Sequence, residues 1–387
     1  MDYILSIVIP TRNRFEYLRD CIQTLNNIHT AKMEVVVQDN SDDHTPISEF
    51  IKGLGNDNIK YYYRAGKLTQ TENSELAITH ATGEYVCYIG DDDSICEKII
   101  DLAEAMKQFD IDACTYRIAT YNWPDLVALK PELYYFKTPM HSGMIQARDP
   151  LQLLHKRLRR GIHEIYGLPR VYHGIVSRRL LDEIHRHLGC YFPGPSPDMA
   201  NATACALYAR NLLNIDIPMI VCGFGKNSAG GLGKRGLHKG TLKGNFQLRA
   251  DIEEVWDSRI PKLWMGVTIW PESAISALTA CNREDLISEI NFEDIYAATI
   301  LMAPADIRAV FKCIHSFKSF GRTLLHLLLY IIKKIIAGLL NMVSQANSSS
   351  GYYYNKMSLI DAVNKQNEAN RNYDVALLFK GFFENSI

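Results

Sequence analysis

The chain has almost no net charge, no C-x-x-C pair and no internal repeat, and each absence narrows what it can be. Its 42 lysines and arginines nearly balance 43 aspartates and glutamates, for a formal charge of −1. That balance argues against whole-surface attraction to nucleic acid, and no nucleic-acid partner is expected. The nine cysteines are odd in number. Most lie in apolar runs such as Val86-Cys87-Tyr88 and Ile220-Val221-Cys222. They read as buried free thiols of a reducing compartment. The opening Met1-Asp2-Tyr3-Ile4 has no basic stretch ahead of its apolar run. A cleaved leader is therefore not expected, and the expected location is the cytoplasm.

What is present suits a sizeable core. With 387 residues at 47% hydrophobic composition, there is room for two domains and a tail. Ile4–Ile9 is a β-branched run stopped by Pro10 and predicts a buried strand. Glu16–Asn26 has helical spacing of apolar residues. Glu34–Val37, Ile59–Tyr63 and Tyr85–Ile89 predict further strands, with helices over Pro46–Leu54 and Thr71–Thr82, the latter stopped at Gly83. This alternation predicts an α/β fold, a mostly parallel sheet with helices on its faces. Ligands of such sheets bind beyond the carboxyl ends of the strands. The polar turns Thr11–Arg14, Gln38–Asp43 and Gly90–Ser94 all follow strands, so they gather at one edge. Further on, Val171–Val176 and Ile215–Phe224 predict strands, and Arg178–Leu188 and Met199–Asn211 predict helices. Residues 246–343 read as mainly helical, and 344–387 as a polar linker and tail.

Asp91-Asp92-Asp93 at a strand end is a charge anomaly. Adjacent carboxylates repel unless something neutralises them. A divalent cation, Mn²⁺ or Mg²⁺, shared with phosphate oxygens would do so. The plainer alternative is a solvated helix start, where aspartate caps free N–H groups. Asp39-Asn40-Ser41 has the same two readings. Asp39 either bonds a nucleobase or ribose, or it closes an Asx turn.

Four segments in order carry a family resemblance: Ser6-Ile7-Val8-Ile9-Pro10-Thr11-Arg12-Asn13-Arg14, Glu34 to Ser41, Glu72-Asn73-Ser74 with Ala81 to Val86, and Gly90-Asp91-Asp92-Asp93. Together they resemble family-2 glycosyltransferases over roughly residues 4–225. The resemblance implies a GT-A fold, Rossmann-like, with an inverting transfer from a nucleotide-sugar, a UDP-sugar first among the candidates. It implies that Pro10, Thr11, Arg14 and Asp39 line the nucleoside pocket and that Asn73 supports the donor. Asp91 would contact ribose or sugar, and Asp93 would hold the metal. Gly90 stands where many members have an acid, so the frame of the motif is ambiguous and Asp92 is an alternative ligand. Asp198, in Pro195-Ser196-Pro197-Asp198, matches the family's late carboxylate, the general base. Its plainer reading is a helix N-cap.

Gly231-x-Gly233-x-x-Gly236 formally fits a dinucleotide fingerprint, but no good helix follows it. Residues 226–245 read instead as a flexible lid. Lys234 and Arg235 would reach the donor diphosphate from it, and His238 would add a metal ligand. A solvated loop is the alternative for all three. His163-Glu164 has no partner at metal-ligand spacing and reads as structural. The expected units are therefore a catalytic domain at 1–225, the lid, a helical region at 246–343, and the tail. Residues 322–343 form an apolar stretch with Arg322, His326, Tyr330, Lys333, Lys334, Ala337 and Asn341 on one polar or small stripe. That pattern suits an amphipathic helix at a membrane surface or a core-facing helix. A surface helix would suit a glycan or lipid-linked acceptor, polysaccharide biosynthesis, and a peripheral position on the inner face of the cell membrane. Nucleotidyl transfer on a related sheet, and a non-catalytic membrane-associated scaffold, are the rival functions.

Overall fold

The computed structural model describes residues 3–245, 247–345 and 351–385, with side chains omitted for 337–345. Four parallel strands floor the N-terminal half: β1 (Leu5–Thr11), β2 (Met33–Asp39), β3 (Ile59–Tyr63) and β4 (Tyr85–Tyr88). Their order is β3-β2-β1-β4. β1 and β2 are buried almost throughout because helices cover both faces, which is why they read as unbroken apolar runs. Both strands extend two residues past their predicted ends. Thr11 and Asp39 are thus the last paired residues, opposite one another in register. The sheet itself, rather than a loop, carries these two side chains to the edge.

The helix Gln70–Thr79 opens with a capping box between Thr69 and Glu72. It stops short of Gly83, contrary to the prediction, and His80 closes it in right-handed conformation. Gly83 is needed for a different reason. A Cβ there would lie 2.7 Å from the Ser6 backbone nitrogen, so only glycine lets the chain enter β4 so close to β1.

Beyond β4 the sheet becomes mixed. It gains β5 (Ser94–Ile95), β6 (Ala113–Asn122), β7 (Phe136–Lys137), β8 (Ile145–Arg148), β9 (Ile175–Ser177) and β10 (Leu212–Phe224). β9 lies antiparallel between β4 and β6, and β10 runs parallel to β6. The predicted strand over 171–176 survives only from Ile175. Its first half is a tight turn, with His173 at φ 52° and Gly174 pressed onto the Arg170 carbonyl, 2.2 Å from where a Cβ would be.

The C-terminal region is mainly helical, as expected. Helices Pro150–Leu158, Pro197–Tyr208, Gly266–Ala280 and Phe292–Met302 share one core built on Leu158, Met199, Ile269 and Ile295. The tail is not a free appendage. β11 (Tyr352–Tyr353) pairs with β7. Helices Leu359–Asn370 and Val375–Glu384 then pack on the sheet, with Val375 and Phe379 in the same core as Leu5 and Ile7. Asn370 donates to the Pro218 carbonyl (2.7 Å), where β10 slips register against β6. Most of the predicted polar linker, 346–350, lies outside the described residues.

Candidate active site

The three aspartates follow β4 directly, and all are at most 5% exposed. Each is held differently. Asp91 accepts from Thr11 Oγ1 (2.7 Å) and pairs with Arg14 Nε (3.1 Å). Asp92 pairs with Arg14 Nη2 (3.2 Å) and accepts from the Gly225 backbone N–H (3.0 Å). The Arg14 nitrogens are at ion-pair distance but out of line for hydrogen bonds, so they are buried donors without an aligned acceptor. Burial pushes Asp91 up to about 7, with Arg14 opposing and Asp92 adding. Burial pushes Asp92 up as well, again against Arg14. The protein's own cations therefore offset only part of the repulsion.

Asp93 is held by groups other than Arg14. Its Oδ1 accepts from Gly223 N–H (2.7 Å), and its Oδ2 accepts from Gly90 N–H (2.7 Å) and meets His173 Nε2 (2.6 Å). The ligand atoms of Asp93, His173 and Cys222 lie within 4.8 Å of one another, which fits a single small cation. His173 owes its place to the left-handed turn, since its N–H bonds the Tyr88 carbonyl (3.0 Å) at the end of β4. Cys222 comes from β10, where burial and the nearby Asp93 and Asp92 push its thiol up well above the ordinary value. Sequence reasoning missed His173 and Cys222. The first lay inside a predicted strand, and the second read as core. The His173-Gly174 pair after an apolar run was the available signal for a turn.

Asp198 belongs to the same neighbourhood. The helix begins at Pro197, so Ser196 occupies the cap position and Asp198 lies inside the first turn with no capping bond from it. Burial pushes its carboxyl up to about 6, His173 and Arg170 opposing and Asp93 adding.

The other predicted residues surround this centre unevenly. Pro10 sits one step before Thr11 in β1. Asn73 Nδ2 reaches the Thr11 carbonyl (3.4 Å), while its Oδ1 is buried without a partner. Asp39 does close an Asx turn, accepting from Ser41 N–H (2.7 Å), and it also accepts from Tyr61 Oη (2.8 Å). Beside Arg14 opens a cleft of about 580 Å³, lined by Tyr17, Ser41, Trp123, Asp125 and Lys226 among others. Tyr17 and Trp123 meet edge to face at 4.8 Å in its wall.

The glycine-rich segment is fixed at its root. Gly225 bonds Asp92, and a Cβ at Gly225 would lie 2.7 Å from the Tyr17 ring. Ser228 then caps a short helix, Ala229–Lys234. Lys234 lies over the Phe224 ring at 3.4 Å and donates to Asn122 Oδ1 (2.5 Å). Burial brings it down to about 8, with Cys222 opposing. Arg235 donates to the Lys226 carbonyl (3.1 Å). His238 rests edge-on against Trp264 (4.5 Å) and is not one of the three clustered ligands. His163 meets Asp294 (2.7 Å) and Tyr330 (3.0 Å), a structural pairing.

Residues 6–172 match the family described as Glycosyl transferase family 2. A 95-residue stretch, 24% of this chain, is 32% identical to GalNAc(5)-diNAcBac-PP-undecaprenol beta-1,3-glucosyltransferase of Campylobacter jejuni. That match spans 30% of the relative's length. Among solved structures, S. aureus TarS 1-349 in complex with UDP-GlcNAc is 15% identical, with a TM-score of 0.48 over 84% of this chain and 89% of that one. Mannosyltransferase PcManGT from Pyrobaculum calidifontis, in complex with GDP-Man and Mn²⁺, is 16% identical, with a TM-score of 0.39 over 87% of this chain and 88% of that one.

Proposed function

We propose that this chain, whose residues 6–172 match the family-2 glycosyltransferases, moves a sugar from a nucleotide diphosphate donor to an acceptor hydroxyl by a single inverting displacement that depends on a divalent cation. What supports the assignment is that Asp93 meets His173 (2.6 Å) while Asp198 lies near enough for the charges of His173 and Asp93 to act on its carboxyl. A buried cation ligand beyond β4 and a partly exposed candidate base in the first turn of the Pro197–Tyr208 helix thereby fall in one neighbourhood.

Asp198 is the general base. At about 6 it is ionised at neutral pH and still basic enough to take a proton. The acceptor oxygen gives up its proton to Asp198 and bonds the anomeric carbon. The bond from that carbon to the diphosphate oxygen breaks on the opposite face, so configuration inverts. Arg14 turns its buried, unaligned N–H groups toward diphosphate oxygens. The nucleoside lies in the cleft beside Tyr17 and Trp123, which Arg14 and Ser41 also line; Thr11, Asp39 and Asn73 are not among its lining residues. Asp93, His173 and Cys222 are the residues that would hold the cation, which when bound supplies positive charge against the leaving diphosphate. An oxygen, nitrogen and sulfur set suits Mn²⁺ or a softer ion better than Mg²⁺.

The donor is a nucleotide-sugar, a UDP-sugar first among those to try. The Campylobacter relative's name specifies a glycan on a lipid diphosphate. A lipid-linked or glycan acceptor, in surface polysaccharide synthesis, is the corresponding reading for this chain. Such an acceptor places the work peripherally at the inner face of the cell membrane. The test is product analysis with a panel of nucleotide-sugars and lipid-linked acceptors. Nucleoside diphosphate should appear only with both substrates present, and Asp198→Asn should bind donor but turn over far more slowly. Release of pyrophosphate from a nucleoside triphosphate would mean nucleotidyl transfer instead.

A further inference from the structure

The helix Phe317–Gln345 is built inside out. Three of its uncharged or weakly charged polar residues, Thr323, His326 and Tyr330, face the protein, while Lys318, Arg322, Lys333 and Lys334 stay exposed. Thr323 is buried, His326 Nδ1 meets Asp294 Oδ1 (3.0 Å), and Tyr330 donates to Asp294 Oδ2 (2.8 Å). These positions recur at i, i+3 and i+7 and define the inner face. On the outer side, the eight leucines and isoleucines of 324–336 that face solvent are 41–58% exposed. Leu325, Leu329, Ile332 and Ile336 make one continuous outward stripe at i, i+4, i+7 and i+11. A helix covering a core would show the reverse pattern. An apolar face of this size needs an occupant.

Charge identifies the occupant. Between 307 and 336 there are six cations, Arg308, Lys312, Lys318, Arg322, Lys333 and Lys334, and no aspartate or glutamate. All six are exposed. A second copy of the chain docked by two-fold symmetry would set like charge against like, with no acid of this segment to relieve it. An anionic bilayer relieves all of it. Among the described residues no helix is long and apolar enough to cross a membrane. Lys333 and Lys334 in the apolar run also disfavour spanning, whereas their long stems reach headgroups from a helix lying flat.

We propose that the face from Phe317 to Ile336 docks flat on an anionic lipid surface, with its leucines and isoleucines in the acyl boundary and its lysines and arginines at the headgroups. This goes beyond the transferase assignment and does not depend on it. The test is flotation of the full chain with vesicles of phosphatidylglycerol and phosphatidylcholine, and with phosphatidylcholine alone. The chain should float with the first at low salt, and far less with the second. The triple variant Leu325→Ser, Leu329→Ser, Ile332→Ser should stay at the bottom of the gradient. The double variant Lys333→Glu, Lys334→Glu should lose about tenfold or more in affinity for the anionic vesicles. All five positions are exposed, so a melting temperature matching that of the unaltered chain confirms that each variant folds. Equal flotation on both kinds of vesicle overturns the proposal. So does a chain that ignores vesicles and forms a dimer abolished by the triple variant.

Discussion

At the end of β4, Asp91, Asp92 and Asp93 are at most 5% exposed, while along the Phe317–Gln345 helix leucines and isoleucines stand 41–58% exposed. One region buries charge and the other exposes oil. The difference lies in where each finds its compensation. The aspartates are partly satisfied within the chain, by Arg14, Thr11, His173 and the N–H groups of Gly223 and Gly225. What remains unbalanced is negative charge, which points to a cation and to substrates that bring one. The helix is satisfied inward by Asp294, and none of the described residues covers its outer leucines and isoleucines. On the readings proposed above, the first region is a site for chemistry and the second a surface for docking.

Four perturbations would break or sharpen this contrast. The largest effect is expected at the chemistry. Asp198→Asn should lower turnover by about 10²–10⁴-fold with nucleotide binding retained, and the rising limb of the rate profile near pH 6 should disappear. Steady-state kinetics from pH 5 to 9 checks this, where the unaltered enzyme should lose rate as pH falls through about 6. Second, Asp294→Ala removes the shared acceptor of His163, His326 and Tyr330. It should destabilise the seat of the long helix by about 2–4 kcal/mol. Hydrogen exchange should rise along 317–336 and stay unchanged at β1 and β4.

Third, Cys222→Ser should weaken binding of a soft cation by about tenfold while leaving Mn²⁺ less affected. Co²⁺ spectroscopy reads this directly, because a thiolate-to-cobalt band should be present in the unaltered chain and lost in the variant. Fourth, Asp91→Asn should stabilise the cation-free protein by about 1 kcal/mol at pH 8 and by little at pH 4. The sign follows from the raised carboxyl. Its protonated form favours the folded state, so stability is full below the ordinary aspartate range and is lost as pH rises through about 7. Thermal melting at the two pH values checks it.

The parallel half of the fold was readable because buried strands announce themselves as β-branched runs with polar stops, as Ile4–Ile9 and Glu34–Val37 did. The acidic triplet was readable because three adjacent carboxylates need a reason. His173 was not, because its role depends on a left-handed turn that a local apolar pattern conceals. Cys222 was hidden for a related reason: its strand reads as core, and only the pairing of β10 with β5 and β6 brings it to Asp93. The return of the tail rests on the two-residue strand Tyr352–Tyr353, too short to leave a periodic signal. For the long helix, periodicity gave the polar stripe but not its direction. His326 and Tyr330 turn inward only because Asp294 and His163, far away in sequence, wait there. Ala337 and Asn341, also assigned to that stripe, lie outside the residues whose side chains are described.

The central claim is that Asp93 holds a cation through which a nucleoside diphosphate binds at the strand ends. Calorimetry of UDP and GDP against the full chain, with Mn²⁺ and then with a chelator, for unaltered protein and Asp93→Ala, tests it most directly. The account predicts binding of at least one nucleotide with Mn²⁺ present, weakened by about tenfold or more both by the chelator and by the substitution. Binding indifferent to both Mn²⁺ and Asp93 would contradict it.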